Sequence, residues 1–331
     1  MHIVVTGGAG FLGTRLCREL LAVGSLSAAG APQVAIERLT VLDRAAPAAD
    51  VAADPRVTAS TADLLDAGSG AAHPVEDADV VFHLAAAVSG ECERDFDLGM
   101  RTNLDGTLAL LRRCRASGRT PVVVFASSLA VFGSTAGYPM PAVVTDETLP
   151  VPQTSYGIQK FVCEQLLADY TRKGFLRGRS VRLPTVSVRP GRPNTAASSY
   201  LSGIIREPLN GKRADCPVDP DVPAAICSPD AAIRGLLRAA TAGPDEWGAP
   251  LAVTLPAITV TAGEMVSVLA QVAGADVAAL VDWRPDETIA SIVRGWPSRL
   301  RTDRAAGLGL PPDESFAAIV HAHIRGMQPA R

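Results

Sequence analysis

Short apolar runs recur along the chain, and between them lie longer stretches whose apolar positions return every three or four residues. The runs Ile3-Val4-Val5, Leu39-Thr40-Val41-Leu42, Val80-Val81-Phe82 and Val122-Val123-Val124-Phe125 are nearly continuous in apolarity. That fits strands covered on both faces, since a half-exposed strand would alternate. Strands are predicted over 2–6, 38–43, 57–60, 79–84, 121–127 and 181–188. The longer stretches carry the helical period: Phe11, Leu12, Leu16, Leu20 and Leu21 share one side, and helices are predicted over 11–23, 96–117 and 155–173. Strands alternating with helices build a parallel sheet with helices on both faces, so the expected class is α/β, doubly wound. Residues 25–33 and 45–56 are rich in Ala, Gly, Ser, Asp and Pro and read as loops.

Past residue 190 the rhythm changes. Prolines thicken at 190, 193, 208, 217, 220, 223 and 229, and short strands alternate with short helices. A sheet domain over 1–190 and a smaller lobe over 191–331, with some segments returning to the sheet, is the expected organisation.

The junction of the first strand and helix carries Thr6-Gly7-Gly8-Ala9-Gly10-Phe11-Leu12-Gly13. Gly7, Gly10 and Gly13 supply a tight turn, a backbone able to approach a pyrophosphate, and close packing of helix on strand. A helix N-terminus adds free N–H groups and a positive dipole end. The expectation is a dinucleotide site on a Rossmann-type sheet, with Phe11 and Leu12 opening the helix. Asp43 at the tip of the second strand can accept both ribose hydroxyls of NAD and repel the extra phosphate of NADP, whereas neighbouring Arg44 could receive that phosphate. NAD is favoured and NADP stays open. Asp63-Leu64 follows the third strand, where a carboxylate could meet the adenine amino group. Leu84-Ala85-Ala86 leaves the fourth strand with side chains small enough for close cofactor approach, and His83 before them reads as structural.

With 331 residues and 47% hydrophobic content the chain can bury a large core. A net charge of −3 offers no footprint for nucleic acid or an anionic membrane. No stretch reaches the roughly 20 apolar residues of a membrane span. The first strand starts at residue 2 with no room for a signal peptide, so a cytoplasmic protein is expected. Six cysteines lack any C-x-x-C pairing and read as reduced, buried thiols, with no metal site expected.

Catalytic chemistry points to Tyr156-Gly157-Ile158-Gln159-Lys160. Four residues apart on a helix, phenol and ammonium share a face. A cation beside a phenol, joined by an oxidised nicotinamide ring, favours phenolate and makes a general base. Upstream, the buried strand 121–127 runs into Ser127-Ser128, hydroxyls that can hold a reacting oxygen against the tyrosine.

These residues, with Asn103, occur in the order seen in the extended short-chain dehydrogenase/reductases, which the whole chain resembles, including Asp303–Leu310 near its end. Matching Val131-Phe132-Gly133 to the Val-Tyr-Gly of that family gives the catalytic hydroxyl to Ser128 rather than Ser127. The resemblance also places Asn103 and Thr185, with Tyr156 and Lys160, on the cofactor. The dehydratases of the family carry Asp-Glu after the catalytic hydroxyl; here Leu129-Ala130 stand there. Two stretches, Ala86–Glu91 through Asp95-Phe96-Asp97 and Arg189–Asn194 through Ser199 to Leu209, resemble the narrower group of D-erythronate dehydrogenases, which oxidise the 2-hydroxyl of a four-carbon sugar acid. That resemblance implies a sugar-acid substrate met by Ser89, Ser128, Tyr156, Arg192, Asn194 and Ser199, with a homodimer expected. Arg192 is the expected carboxylate partner because a guanidinium fork can pair with both oxygens, and Arg189 and Arg206 are rivals. A nucleotide-sugar epimerase with tightly held NAD and a non-catalytic dinucleotide sensor stay open as alternatives.

Overall fold

The computed structural model describes residues 1–65, 73–191 and 196–327. Its main sheet has seven strands: β1 (His2–Thr6), β2 (Arg38–Leu42), β3 (Val57–Ser60), β4 (Val80–His83), β5 (Val122–Ser128), β6 (Arg177–Leu183) and β7 (Val253–Thr254). They are arranged β7-β6-β5-β4-β1-β2-β3. Ile3 of β1 pairs in parallel with Leu39 of β2 on one side and Val80 of β4 on the other. The order therefore reverses between β1 and β4, the position where open α/β sheets hold ligands beyond their carboxyl ends. All five residues of β1 are buried, as the near-continuous apolar run requires.

Helix α1 (Phe11–Val23) follows β1 and ends at Gly24 in the left-handed region. A short helix α2 (Ser89–Arg94) precedes the expected helix over 96–117, which is present as one continuous helical run: Phe96–Gly99 capped by the Asp95 carboxylate, a π-helical stretch Met100–Asp105 and α3 (Gly106–Ser117). Helix α4 (Ser155–Arg172) follows β5. The stretch 25–33 is less irregular than expected, because Ser25–Leu26 pairs with Val34–Ala35 as a small hairpin. Residues 45–56 likewise include a short helix, Ala49–Ala52.

The sixth strand differs most from expectation, running over 177–183 rather than 181–188. Two of its arginines are buried. Arg182 forms a two-pronged pair with Glu164 of α4, and the Arg179 guanidinium lies 5.0 Å from the Trp247 ring centroid. Thr185–Val186 belongs to a separate three-stranded sheet with Pro223–Cys227 and Ile258–Thr261.

The chain forms two compact units, one from Met1–Ser128, Ser155–Arg182 and Ile233–Val253, the other from Leu129–Thr154, Leu183–Ala232 and Thr254–Arg331. The first has a core built around Val4, Val81, Leu110, Val123, Phe125 and Leu167. In the second, Leu201, Ile204, Ile226, Met265 and Ile319 pack together, with helix α5 (Tyr200–Leu209) among its contributors. All six cysteines are buried with free thiols. Among the described residues, no helix is long and apolar enough to cross a membrane.

Candidate active site

The first unit holds the glycine turn. Gly7 sits at φ +68°, a conformation that favours glycine, and a Cβ there would lie 2.7 Å from the Ala85 nitrogen. A Cβ on Gly13 would come within 2.2 Å of the Gly7 carbonyl oxygen, so α1 seats directly on the turn. Gly10 is the N-cap of α1, and no side chain caps it. The first-turn N–H groups of the helix are thus left for an outside acceptor, with the dipole favouring an anion.

A cleft of about 390 Å³ opens at this point, lined among others by Gly7, Gly10, Asp43, Asp63, Leu84 and Ala85. Arg44, Leu64 and Ala86 also line it. Asp43 is half-buried and fixed: one carboxylate oxygen accepts the Ala9 N–H at 3.1 Å and the other the Ala45 N–H at 3.0 Å. Arg44 is exposed, as is Asp63, which accepts the Leu65 N–H at 3.0 Å. Phe11 and Leu12 occupy the first turn of α1, half-buried. Backbone lining, an uncapped helix start and a carboxylate on the second strand tip together fit a dinucleotide.

The wall formed by Leu84–Ala87 is held from behind by buried polar groups. The Ala85 N–H donates to Thr6 Oγ1 at 3.2 Å, and Thr6 Oγ1 meets His83 Nδ1 at 2.6 Å. On the other side of the ring, His83 Nε2 meets Thr107 Oγ1 at 2.9 Å, and that hydroxyl donates to the Asn103 carbonyl at 2.6 Å. With Thr107 donating onward, the set closes if Nε2 carries the proton and Nδ1 accepts from Thr6. Burial pushes the His83 imidazole down to about 3, so it is neutral near pH 7. Asn103 is buried too, and its amide is committed within the protein. It accepts from Ala87 N at 2.8 Å and donates to Ala87 O at 3.2 Å and Gln159 Oε1 at 2.8 Å. Its side chain ties the loop after β4 to α4.

The end of β5 meets α4 at three successive residues. Lys160 Nζ donates to the Ala126 carbonyl at 2.9 Å, Ser127 Oγ donates to Glu164 Oε1 at 2.5 Å, and the Tyr156 hydroxyl hydrogen-bonds the Ser128 side chain. Lys160 Nζ lies 5.6 Å from the Tyr156 ring centroid and 4.6 Å from that of Phe125. Ser128, Tyr156 and Lys160 are therefore assembled in one place, and Ser127 is turned to a different partner. In the protein alone, burial pushes the Tyr156 phenol up to about 12, against the downward pull of the Ser128 hydrogen bond. Burial also lowers the Lys160 ammonium to about 8. Sequence reasoning missed Glu164 and Arg182. The available signal was spacing, because Tyr156, Lys160 and Glu164 stand at successive four-residue steps on one helix.

The expected substrate residues are divided. Ser89 is buried at the start of α2 in the first unit. Ser199 ends a short 3-10 turn in the second unit, where Thr185, expected on the cofactor rather than the substrate, lies in the three-stranded sheet. Arg192 and Asn194 lie outside the described residues. Arg206 is buried with its fork engaged, Nε and Nη2 by Glu207 and Nη1 by the Arg189 carbonyl.

Comparison with known proteins adds the following. Residues 3–223 match the family described as NAD dependent epimerase/dehydratase. A D-erythronate dehydrogenase of Cupriavidus necator is 48% identical over 324 residues, 98% of this chain and 98% of the relative. One from Haemophilus influenzae is 38% identical over 98% of this chain and 99% of its own. Among solved structures, one described as the nucleoside-diphosphate-sugar epimerase from Agrobacterium tumefaciens superposes with a TM-score of 0.88 at 39% identity, covering 99% of this chain and 94% of that one.

Proposed function

We infer that this chain, which belongs to the NAD dependent epimerase/dehydratase family, is an NAD-dependent dehydrogenase that oxidises the 2-hydroxyl of D-erythronate to the 2-oxo acid. The observation that carries the substrate is the near full-length similarity to two D-erythronate dehydrogenases. The chemistry rests on the contact of Tyr156 with Ser128 and the nearness of Lys160.

In this reading, Ser128 holds the substrate oxygen and Tyr156 removes the hydroxyl proton as general base. NAD, when bound, supplies the hydride acceptor and a positively charged ring. Lys160 adds a second positive charge beside the phenol, so that the two together offset the burial that raises it. Gly7, Gly10 and Gly13 with the start of α1 hold the pyrophosphate, and Asp43 accepts the ribose hydroxyls. The carboxylate of Asp43 favours NAD over NADP, because a 2′-phosphate would meet its fixed negative charge. Asn103 acts from behind the loop rather than by touching the cofactor. For the substrate carboxylate, Arg192 is the proposed partner, and Arg206, engaged by Glu207 and the Arg189 carbonyl, is the weaker rival.

A dehydratase reading is disfavoured by Leu129 and Ala130 after Ser128, both apolar and buried, where proton-transfer groups would be needed. The epimerase named for the Agrobacterium structure is the second reading, and it predicts that NAD stays bound with no net reduction. Tyr156→Phe tests the chemistry: kcat should fall by roughly 10²–10⁴-fold, as for loss of a positioned general base, with NAD binding retained. Wild-type turnover in that variant would assign the proton to another group.

A further inference from the structure

Glu164 and Arg182 form a buried ion pair that the proposed chemistry does not use. Their side chains are 1% and 8% exposed, and the guanidinium grips the carboxylate with two bonds of 2.9 and 2.7 Å. Burying two charges confers little stability on its own, since the desolvation cost offsets the attraction. Such a pair is better understood by what it fixes. Beyond the guanidinium, the described contact of the carboxylate is Ser127 Oγ, which donates to Glu164 Oε1 at 2.5 Å. Ser127 immediately precedes Ser128, and Glu164 lies one helical step past Lys160 and two past Tyr156 on α4. The three contacts at Ala126, Ser127 and Ser128 therefore lock strand end to helix in a single register. Of the three, the Ser127 contact is the one adjacent to Ser128 that catalysis does not have to exchange for substrate.

We propose that Glu164, anchored by Arg182, is a positioning residue that acts through Ser127 to hold Ser128 in line with Tyr156 and Lys160. This rests on the Ser128–Tyr156–Lys160 reading above. The pair does this from the side of the sheet contributed by β6, through a strand neighbour, with no contact to substrate. Displacement of a reacting group by about 1 Å can cost on the order of 10²-fold in rate. The expected effect thus appears in turnover rather than in cofactor affinity.

Ser127→Ala cuts the link but leaves the ion pair whole, so the fold is spared an unpaired buried charge. In that variant kcat for D-erythronate should fall roughly tenfold to a hundredfold, with KM for NAD and the melting temperature close to wild type. Glu164→Gln provides a second readout, because its charge helps keep Lys160 protonated. The alkaline limb of the kcat profile should move to lower pH in Glu164→Gln and stay in place in Ser127→Ala. Unchanged kcat in Ser127→Ala would overturn the proposal. So would a loss of kcat that tracks a lowered melting temperature and a raised KM for NAD, which marks a purely structural pair. Tyr156→Phe measured alongside separates the two levels, because wild-type turnover there overturns the Ser128–Tyr156–Lys160 reading itself, whatever Ser127→Ala does.

Discussion

Lys160 is the residue whose environment has the most direct functional consequence. Its ammonium is buried and donates to a backbone carbonyl, and burial lowers it to about 8. As pH rises through that value, the proton leaves and the cation that the family resemblance places on the cofactor disappears. NAD affinity should therefore be flat near neutrality and weaken above about pH 8, by up to about tenfold per pH unit once the ammonium is mostly lost. Titration of NAD binding by tryptophan fluorescence from about pH 7 to about pH 9.5 checks this, and constant affinity across that range would contradict it. At this scale the sequence was highly readable. Tyr156 and Lys160 stand out because a four-residue spacing on a helix leaves little freedom in where the side chains meet. The choice between Ser127 and Ser128 was harder, since strand alternation allows either to face the helix and only the downstream Val131-Phe132-Gly133 separates them. In the fold, the difference is that Ser127 has a buried carboxylate to bond. Spacing on the helix could have pointed to Glu164, but its ion pair with Arg182 stayed hidden because a charged residue in sequence carries no mark of a buried partner.

Among the elements, β1 and α1 were legible to the residue because apolar run, glycine turn and helical period all agree there. Two glycines give opposite expectations. Gly13→Ala places a Cβ 2.2 Å from the Gly7 carbonyl and must push α1 off its turn, so both NAD affinity and melting temperature should drop. Gly203 lies inside α5, and a Cβ added there would meet nothing within 4 Å. Gly203→Ala should therefore stabilise by about 0.5–1 kcal/mol, read as a higher denaturant midpoint. The reverse pattern in the two variants would contradict the packing described. The sixth strand is displaced from its expected place because Arg177-Gly178-Arg179-Ser180 looks like a loop. Its buried Arg182 pairs with Glu164, its Arg179 guanidinium lies against the Trp247 ring, and Arg177 is exposed. The helix over 96–117 was legible in extent, but its π-helical stretch was not, since that changes hydrogen-bond register without changing composition.

For the whole molecule, the sheet architecture followed from periodicity, whereas the membership of residues 129–154 in the second unit did not. That segment has few apolar runs, so its unit is set by long-range pairing such as Val144 with Leu300, which no local pattern records. Stability of the fold carries its own pH signature through His83. The imidazole titrates at 6.5 when unfolded but only near 3 in the fold, so below about pH 6.5 the unfolded chain binds a proton that the fold excludes. Stability should be fully present at neutral pH and fall with acidification at up to about 1.4 kcal/mol per pH unit. Denaturant unfolding at pH 7 and about pH 5 checks the slope, and His83→Gln should flatten it; identical slopes in the two proteins would contradict the assignment. The central claim, that the molecule moves hydride from a sugar acid to free NAD, is tested most directly by adding D-erythronate to enzyme and excess NAD and following the near-ultraviolet band of reduced nicotinamide. The account predicts NADH formed in proportion to the acid consumed, with little formed when NADP replaces NAD. No reduction with D-erythronate, together with interconversion of a nucleotide-linked sugar on NAD that stays bound, would contradict it.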